Sequence, residues 1–256
     1  MNFAREEGFM ASTALVGRSF SERLVDFLDV IEYRPIGEGE DREAVFRLRY
    51  DAYVREGAIP ISFSRRFTDR FDDMPNARIF GLYIEGELAS SIRVHVASRA
   101  YPDAPCMMAF SDVLGPEIAA GRSMVDPSRF VADQTWARRH SELPYATVRL
   151  GFLATEYFHA DFGLATPRAE HQAFYKRLFG LRLLCEPREY PSLTKPLSLM
   201  GIHYPSVRES LMERHPFLRA TGPELEALFK GMPSVPLVPS VPLVPQPEIF
   251  ETAGQS

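Results

Sequence analysis

Cysteine is nearly missing from this chain. Of its 256 residues only Cys106 and Cys185 are cysteines, and they form neither a CxxC pair nor a Cys/His ligand spacing. That excludes a disulfide framework and a zinc or iron–sulfur centre, and it points to a reduced, cytoplasmic chain without a metal. A basic excess is missing too. The formal net charge is −5, so a nucleic-acid role has no electrostatic footprint. No run reaches the roughly 18 apolar residues that a transmembrane helix needs. The opening MNFAREEGFMASTALVG lacks a useful apolar stretch ahead of a cleavage site, so no leader is expected. No G-x-S-x-G elbow marks a serine nucleophile. Cys185 alternates within an apolar strand run, where a thiol is inert; an acyl-cysteine route through either thiol is the lesser alternative. Glycine is absent from QTWARRHSELP (134–144), and Trp136 is the single tryptophan.

What is present suits a folded core. The chain is 45% hydrophobic and 25% charged, which allows burial without staples. VIEYRPI (30–36) predicts a short strand. Residues 40–56 predict a helix, with acids in the first turn and Gly57 as its stop. Residues 78–98 read as two strands joined at Glu85-Gly86, and SMVDPSRFVAD (123–133) as another strand. A long helix is expected over 145–163, with Leu150, Leu153 and Tyr157 at helical spacing and Gly163 at its end. A short strand follows at 164–168, then a helix over 170–180 that ends at Gly180. Strands are expected at 181–186 and 195–204, and late helices at 204–214 and 221–232. Thr221 and Glu224 have capping-box spacing. This order implies an α/β (α+β) mixed sheet with helices on its faces. SVPLVP at 234–239 repeats at 240–245, an extended Pro-rich tail read either as disordered or as a docking peptide.

Charges interrupt the core pattern. Val45, Arg49 and Tyr53 share one helix face, so Arg49 breaks an apolar stripe. It must find acids if buried, or snorkel at the stripe's edge. Asp69 and Asp72 of DRFDD are available partners. Arg93 shares a strand face with Ser91 and His95, while Ser90, Ile92, Val94 and Val96 form the core face. In the next strand simple alternation puts Asp126, Ser128 and Phe130 on one face and Val125, Arg129 and Val131 on the other. Pro127 donates nothing to a ladder and suggests a bulge or splayed edge. One or more paired charge clusters at a sheet rim are therefore expected.

FRLRYDAY (46–53), DRFD (69–72), SSIRV (90–94), the Phe110 of MAFSDV and DPSRF (126–130), in this order, resemble the acyl-homoserine-lactone synthases and the related N-acyl amino acid synthases. Both groups are GNAT-like acyltransferases, and the resemblance spans about residues 30–204. HQAFYKRLFGLRLL (171–184) is similar to the penultimate helix and following strand of GNAT folds. The resemblance implies a GNAT-like mixed central sheet flanked by helices on both faces, with a helical C-terminal extension. The implied organisation is a partly helical N-terminal extension at 1–29, the acyltransferase domain at 30–204, packed helices at 205–232 and the tail at 233–256.

The resemblance also implies site residues. Arg49, Asp69, Asp72, Arg93, Asp126, Ser128 and Arg129 fall in the charge cluster near the acceptor, with Tyr53, Phe110 and Phe130 as substrate contacts. Asp126 stands where lactone synthases carry a glutamate proposed as general base; being shorter, it would need a bridging water. Asp126, Ser128 and Tyr175 are the candidate catalytic residues. Tyr175 would protonate the leaving thiolate, although Gly180 follows it by five residues rather than four. His171, one turn earlier, reads as a base or a surface residue. Lactone synthases carry aromatic residues at the positions of Tyr53 and Ile59, a phenylalanine and a tryptophan. Their loss here favours the N-acyl amino acid synthase branch and an amine acceptor such as an amino acid.

The expected donor is an acyl-phosphopantetheine thioester, with no permanently bound cofactor. A glycine-free 134–144 gives little support to a pyrophosphate nest, so acyl carrier protein is preferred over CoA as partner. Arg138, Arg139 and His140 would contact the carrier, unless they form merely a solvated loop. The expected reaction is direct fatty-acyl transfer to an amine. The alternatives are a lactone synthase using S-adenosylmethionine and a non-catalytic interaction module.

Overall fold

The computed structural model describes residues 18–233. Residues 1–17 and the Val-Pro repeat expected as a tail lie outside the described residues. Helix α1 (Phe20–Leu28) starts at a reciprocal cap, in which Ser19 Oγ accepts the Glu22 N–H and Glu22 accepts the Ser19 N–H. Strand β1 (Ile31–Pro35) and helix α2 (Glu40–Arg55) follow, and Gly57 turns the chain at φ +64°. Strands β2 (Ala77–Ile84) and β3 (Glu87–Ala97) form the expected hairpin. Its Glu85 and Gly86 both have positive φ, +53° and +83°, as a tight turn with right-handed strand twist requires.

Two helices were not anticipated. Helix α3 (Met107–Ala119) is kinked at Phe110 and contains Pro116, so an internal Gly-Pro pair masks its periodicity. Residues expected as a loop form helix α4 (Gln134–Arg139), because Asp133 accepts the N–H groups of Thr135 and Trp136. Between them lies β4 (Met124–Ala132). Helix α5 covers Leu143–Tyr157 and stops well before Gly163. His159 turns the chain in the left-handed region at φ +48°, without glycine, and Gly163 belongs to β5 (Phe162–Ala165). Helix α6 (Gln172–Phe179) ends at Gly180, φ +72°. Strands β6 (Arg182–Arg188) and β7 (Leu197–His203) precede α7 (Arg208–Arg214) and α8 (Gly222–Phe229). Thr221 accepts the Glu224 N–H, but the reciprocal half of the box is replaced by a Glu224–Arg149 ion pair.

The seven strands form one mixed sheet in the order β1-β2-β3-β4-β5-β7-β6. The β4–β5 pair is parallel and the others antiparallel. The larger apolar core lies between the sheet and α1, α5, α6 and the C-terminal helices. Here Ile92, Val94 and Val96 face inward, and Ser90 bonds Thr147 Oγ1 and the Val131 carbonyl. A second core packs α3 against β6 and β7, and a third lies under α2.

Candidate active site

The β4–β5 ladder consists of two residue pairs, Met124–Phe162 and Val125–Gly163. Beyond it the strands part. Pro127 cannot donate across the gap, and its ring seats against Gly151 of α5, where a Cβ would lie 2.5 Å from Pro127 Cγ. Parallel pairing followed by separation leaves a cleft between two strands that are otherwise members of one sheet.

On its β3 side, β4 is bulged. Ser91 pairs with Val131 and Arg93 with Ser128, so two residues, Arg129 and Phe130, oppose Ile92 alone. Arg129 absorbs the extra residue at φ +54°. The bulge overturns the simple alternation: Arg129 joins the Ser128 and Arg93 side of the sheet, and Val131 pairs on the Ser91 face. A non-glycine residue in this conformation carries strain of about 1–3 kcal/mol, which the surrounding contacts must hold.

Those contacts are ionic. Helix α2 places Arg49 and Tyr53 one turn apart. The short turn Arg70–Asp73 is capped by Asp69, whose Oδ1 accepts the Phe71 N–H, while Asp72 Oδ2 accepts the Asp69 N–H and the Thr68 hydroxyl. Asp72 Oδ1 receives Arg49 at 2.7 Å and Arg93 at 2.8 Å. Asp69 receives Arg93 and Arg129, each at 2.6 Å. Arg93 Nε also donates to Ser128 Oγ at 3.2 Å. The expected charge cluster is thus one network, and Arg49 is fully buried rather than snorkelling. Burial opposes the Asp69 and Asp72 charges, but the arginines outweigh it and hold both carboxyls below the ordinary range. Three guanidiniums against two carboxylates leave a formal surplus of one positive charge (3 − 2 = 1).

That surplus borders a cavity. A vestibule of about 530 Å³ is lined by Tyr53, Arg93, Ser128, Arg129, Phe130, Tyr175 and Tyr190, with Arg55, Glu56, Arg168, His171 and Lys195 also on its wall. A narrower apolar tunnel of about 60 Å³ runs between β4, β5 and α5, lined by Val125, Val148, Phe152, Leu164, Phe179 and Tyr204 among others. The two share Pro127, Phe130 and Tyr175. At this junction burial, with Tyr53 adding to it, pushes the Tyr175 phenol well above its ordinary range, so it is protonated at neutral pH. The vestibule wall of Arg129 is aromatic as well, with Phe67 at 4.2 Å and Tyr53 at 5.4 Å from the guanidinium.

Several expected residues lie elsewhere. Asp126 is fully buried and lines neither cavity. Its Oδ2 accepts the Cys106 N–H at 2.8 Å at the start of α3, and Cys106, through its N–H and its thiol, is the hydrogen-bond partner of this carboxyl among the described residues. Burial lifts its pKa to about 6 against the opposing Cys106 bonds and Arg93. The β3–β4 register explains the placement: Asp126 pairs with the buried His95, farther from the gap than Ser128. Phe110 sits in the α3 core, not on a cavity wall, because the α3 kink turns it beneath the sheet. His140 is stacked between Phe27 and Trp136, at 5.1 and 5.7 Å, rather than presented to solvent. Arg138 and Arg139 are exposed on α4, and Arg139 lies over Trp136. The Cys106 thiol is pushed well above its ordinary value by burial, and Cys185 is also raised, so neither is an activated nucleophile.

Sequence reasoning missed Tyr190, which lies in a loop without periodicity, and the Gly151–Pro127 contact. A glycine inside a helix costs about 1 kcal/mol relative to alanine, and that anomaly was the available signal.

A strained, splayed β4, a paired charge network and two adjacent cavities with three shared wall residues make up the candidate site. The family model "N-acyl amino acid synthase FeeM" matches residues 44–203. The chain belongs to this family and is an N-acyltransferase. No curated protein matches it. Among solved structures it is similar to FeeM, an N-acyl amino acid synthase from uncultured soil microbes. That match has 19% identity and a TM-score of 0.58, and covers 70% of this chain and 93% of FeeM. Also similar are the CoA-dependent acyl-homoserine lactone synthase BjaI (18% identity, TM-score 0.47, 69% and 83% covered) and an acyl-CoA N-acyltransferase from Pseudomonas aeruginosa (17%, 0.45, 67% and 98%).

Proposed function

We propose that the chain transfers a fatty acyl group from the phosphopantetheine thioester of an acyl carrier protein to the amino group of an amino acid or similar amine. The observation that carries this reading is the shared wall at Pro127, Phe130 and Tyr175 between a larger chamber that carries Arg93, Arg129, Arg168 and Lys195 and a smaller apolar tunnel. The tunnel suits an alkyl chain, and the net positive network that Arg93 and Arg129 bring to the vestibule wall suits an acceptor carboxylate.

The amine enters as its neutral form, the ammonium proton having gone to vestibule water. Its nitrogen attacks the thioester carbonyl at the junction. The β5-facing backbone of β4 beyond Val125 has no strand partner and is the available source of oxyanion donors, Pro127 excepted. As the C–S bond breaks, Tyr175 gives its proton to the leaving sulfur and regains one from the new amide nitrogen. Arg129 and Ser128 orient the acceptor. Asp126, sealed beneath β4, acts as a positioning residue for β4 and α3 unless a water bridges it to the amine.

A carrier-protein donor is supported at the α5 N-terminus. Glu142 occupies the N-cap and pairs with Arg23 at 3.0 Å, and Phe20 of α1 packs on Tyr145. Burial raises the Glu142 pKa, but Arg23 and other partners outweigh it and keep the carboxyl low. An anion thus stands where a CoA pyrophosphate would seek the helix dipole. Exposed Arg138 and Arg139 suit an acidic carrier. The test supplies purified protein with equal acyl-carrier-protein and acyl-CoA thioesters and a panel of amino acids, and reads amide products by mass spectrometry. N-acyl amino acid from the carrier thioester is expected. Tyr175→Phe should lower kcat by about 10²–10⁴-fold with acceptor KM little changed. Thiol release without amide, or faster use of CoA, counts against the reading.

A further inference from the structure

The tunnel has a floor that the GNAT-like core does not provide. Helix α5 runs alongside it as a ruler. Pro144 lines the vestibule, and Val148, Gly151, Phe152 and Thr155 line the tunnel. The next residue, Glu156, anchors a latch. Arg208 of α7 donates Nε at 2.7 Å and Nη2 to its two oxygens, and Tyr204 gives it a hydroxyl hydrogen bond. Arg208 and Tyr204 hold the Glu156 carboxyl low against its burial. The latch sets the Tyr204 ring edge-on to Phe152 at 5.3 Å, and α7 brings Leu211, 3% exposed, to the same wall. Leu211 lies beyond the matched family region, and Tyr204 directly follows its last residue, 203.

We propose that Tyr204 and Leu211, held by the Glu156–Arg208 latch, are the specificity-determining floor of the acyl tunnel and set an upper limit on acyl-chain length. The inference rests on the acyl-transfer reading for its substrate. A longer chain must displace α7. Chain choice beyond the Pro127–Tyr175 junction is then made where Tyr204 and α7 meet the apolar wall, with Ile92, Val125 and Leu164 of the sheet on its sides.

The test uses full-length protein and S-acyl-pantetheines of increasing straight-chain length, read by calorimetry or thermal shift and so independent of turnover. Affinity should rise about fourfold per methylene until the chain meets the floor, then level off. Leu211→Ala and Tyr204→Ala should move that plateau to chains longer by about two carbons, through the space they open. Leu211→Phe should move it to shorter chains. Tyr204→Phe, which keeps the ring and loses the latch bond, should soften the plateau without shifting it. Leu211→Val gives the same direction as Leu211→Ala at smaller amplitude should the alanine variant unfold. One plateau length shared by wild type, Leu211→Ala and Leu211→Phe overturns the floor, and amide formation in the same proteins would leave acyl transfer standing. A shifted plateau without any amide product supports the floor and refutes the transfer reading. No chain binding in any protein refutes both.

Discussion

Asp126 is where charge and burial conflict most sharply. Its neighbours Asp69 and Asp72 are held ionised by arginines, whereas its own carboxyl is bonded by Cys106 alone among the described residues, through the backbone N–H and the thiol. An acid whose folded pKa is raised favours the fold while protonated. That contribution is present below its ordinary value of 3.8 and is lost as pH climbs through about 6. Asp69 and Asp72 act in the opposite sense, being stabilising above the ordinary carboxylate range and weakened as pH falls. The Asp126→Asn comparison cancels them. The variant keeps an acceptor for Cys106, so it should match wild type near pH 4 and become the more stable protein by pH 8. The gap is at most about 3 kcal/mol, at about 1.4 kcal/mol per pH unit. Urea unfolding across that range would measure it, and a gap independent of pH would refute the buried-carboxyl account. Asp126 was visible in the sequence as an anomalous acid in a strand. That it bonds Cys106 and lines neither cavity depended on the β3–β4 register.

At the scale of elements, the cleft depends on how closely α5 approaches β4. Gly151→Ala gains about 1 kcal/mol of helix propensity. The new methyl meets Pro127 at 2.5 Å, and overpacking of this kind costs about 1–3 kcal/mol. The net expectation is a loss of up to about 2 kcal/mol together with weaker acyl-pantetheine binding, since Pro127 lines both cavities. Denaturant melts paired with binding would decide; a more stable variant with unchanged binding would remove Gly151 from the site. Most elements here were legible because hairpin and helix-stop signals are local. Helices α3 and α4 and the true end of α5 were not. Their boundaries are set by a Gly-Pro pair tolerated inside a packed helix, an Asp133 cap, and a left-handed His159 held in place by tertiary contacts.

At the scale of the whole molecule, Arg149 ties the C-terminal extension to the core. It is buried on α5 and donates to the Phe217 carbonyl at 2.6 Å, the Arg219 carbonyl at 2.7 Å and Glu224 at 2.7 Å. Removing one partner of a buried charged network typically costs about 3–5 kcal/mol. Arg149→Met should lose about that much, and hydrogen exchange in α7 and α8 should accelerate before the sheet's. Unchanged protection in α8 would show that the extension docks by apolar contact alone. Because α7 also floors the tunnel, the same variant should blur acyl-chain selection. Sequence gave no warning of this clamp, since Arg149 reads as one polar residue in an apolar helix and its acceptors lie about 70 residues away.

The sequence by itself determined the mixed α/β class, the order of strands and helices that carries the site, and the presence of arginines and aspartates that had to pair. Periodicity, turn chemistry and the cost of burying an unpaired charge act locally or demand partners wherever they are found. Only the tertiary structure decided which acid meets which arginine, that the β4 bulge swings Arg129 toward Asp69, and that Asp126 and Phe110 are sealed from the cavities. It also decided that Tyr204 and Leu211, distant in sequence from β4, share a cavity wall with it. A one-residue change of register exchanges the two faces of a strand, and a cavity wall is assembled from segments that share no sequence neighbourhood.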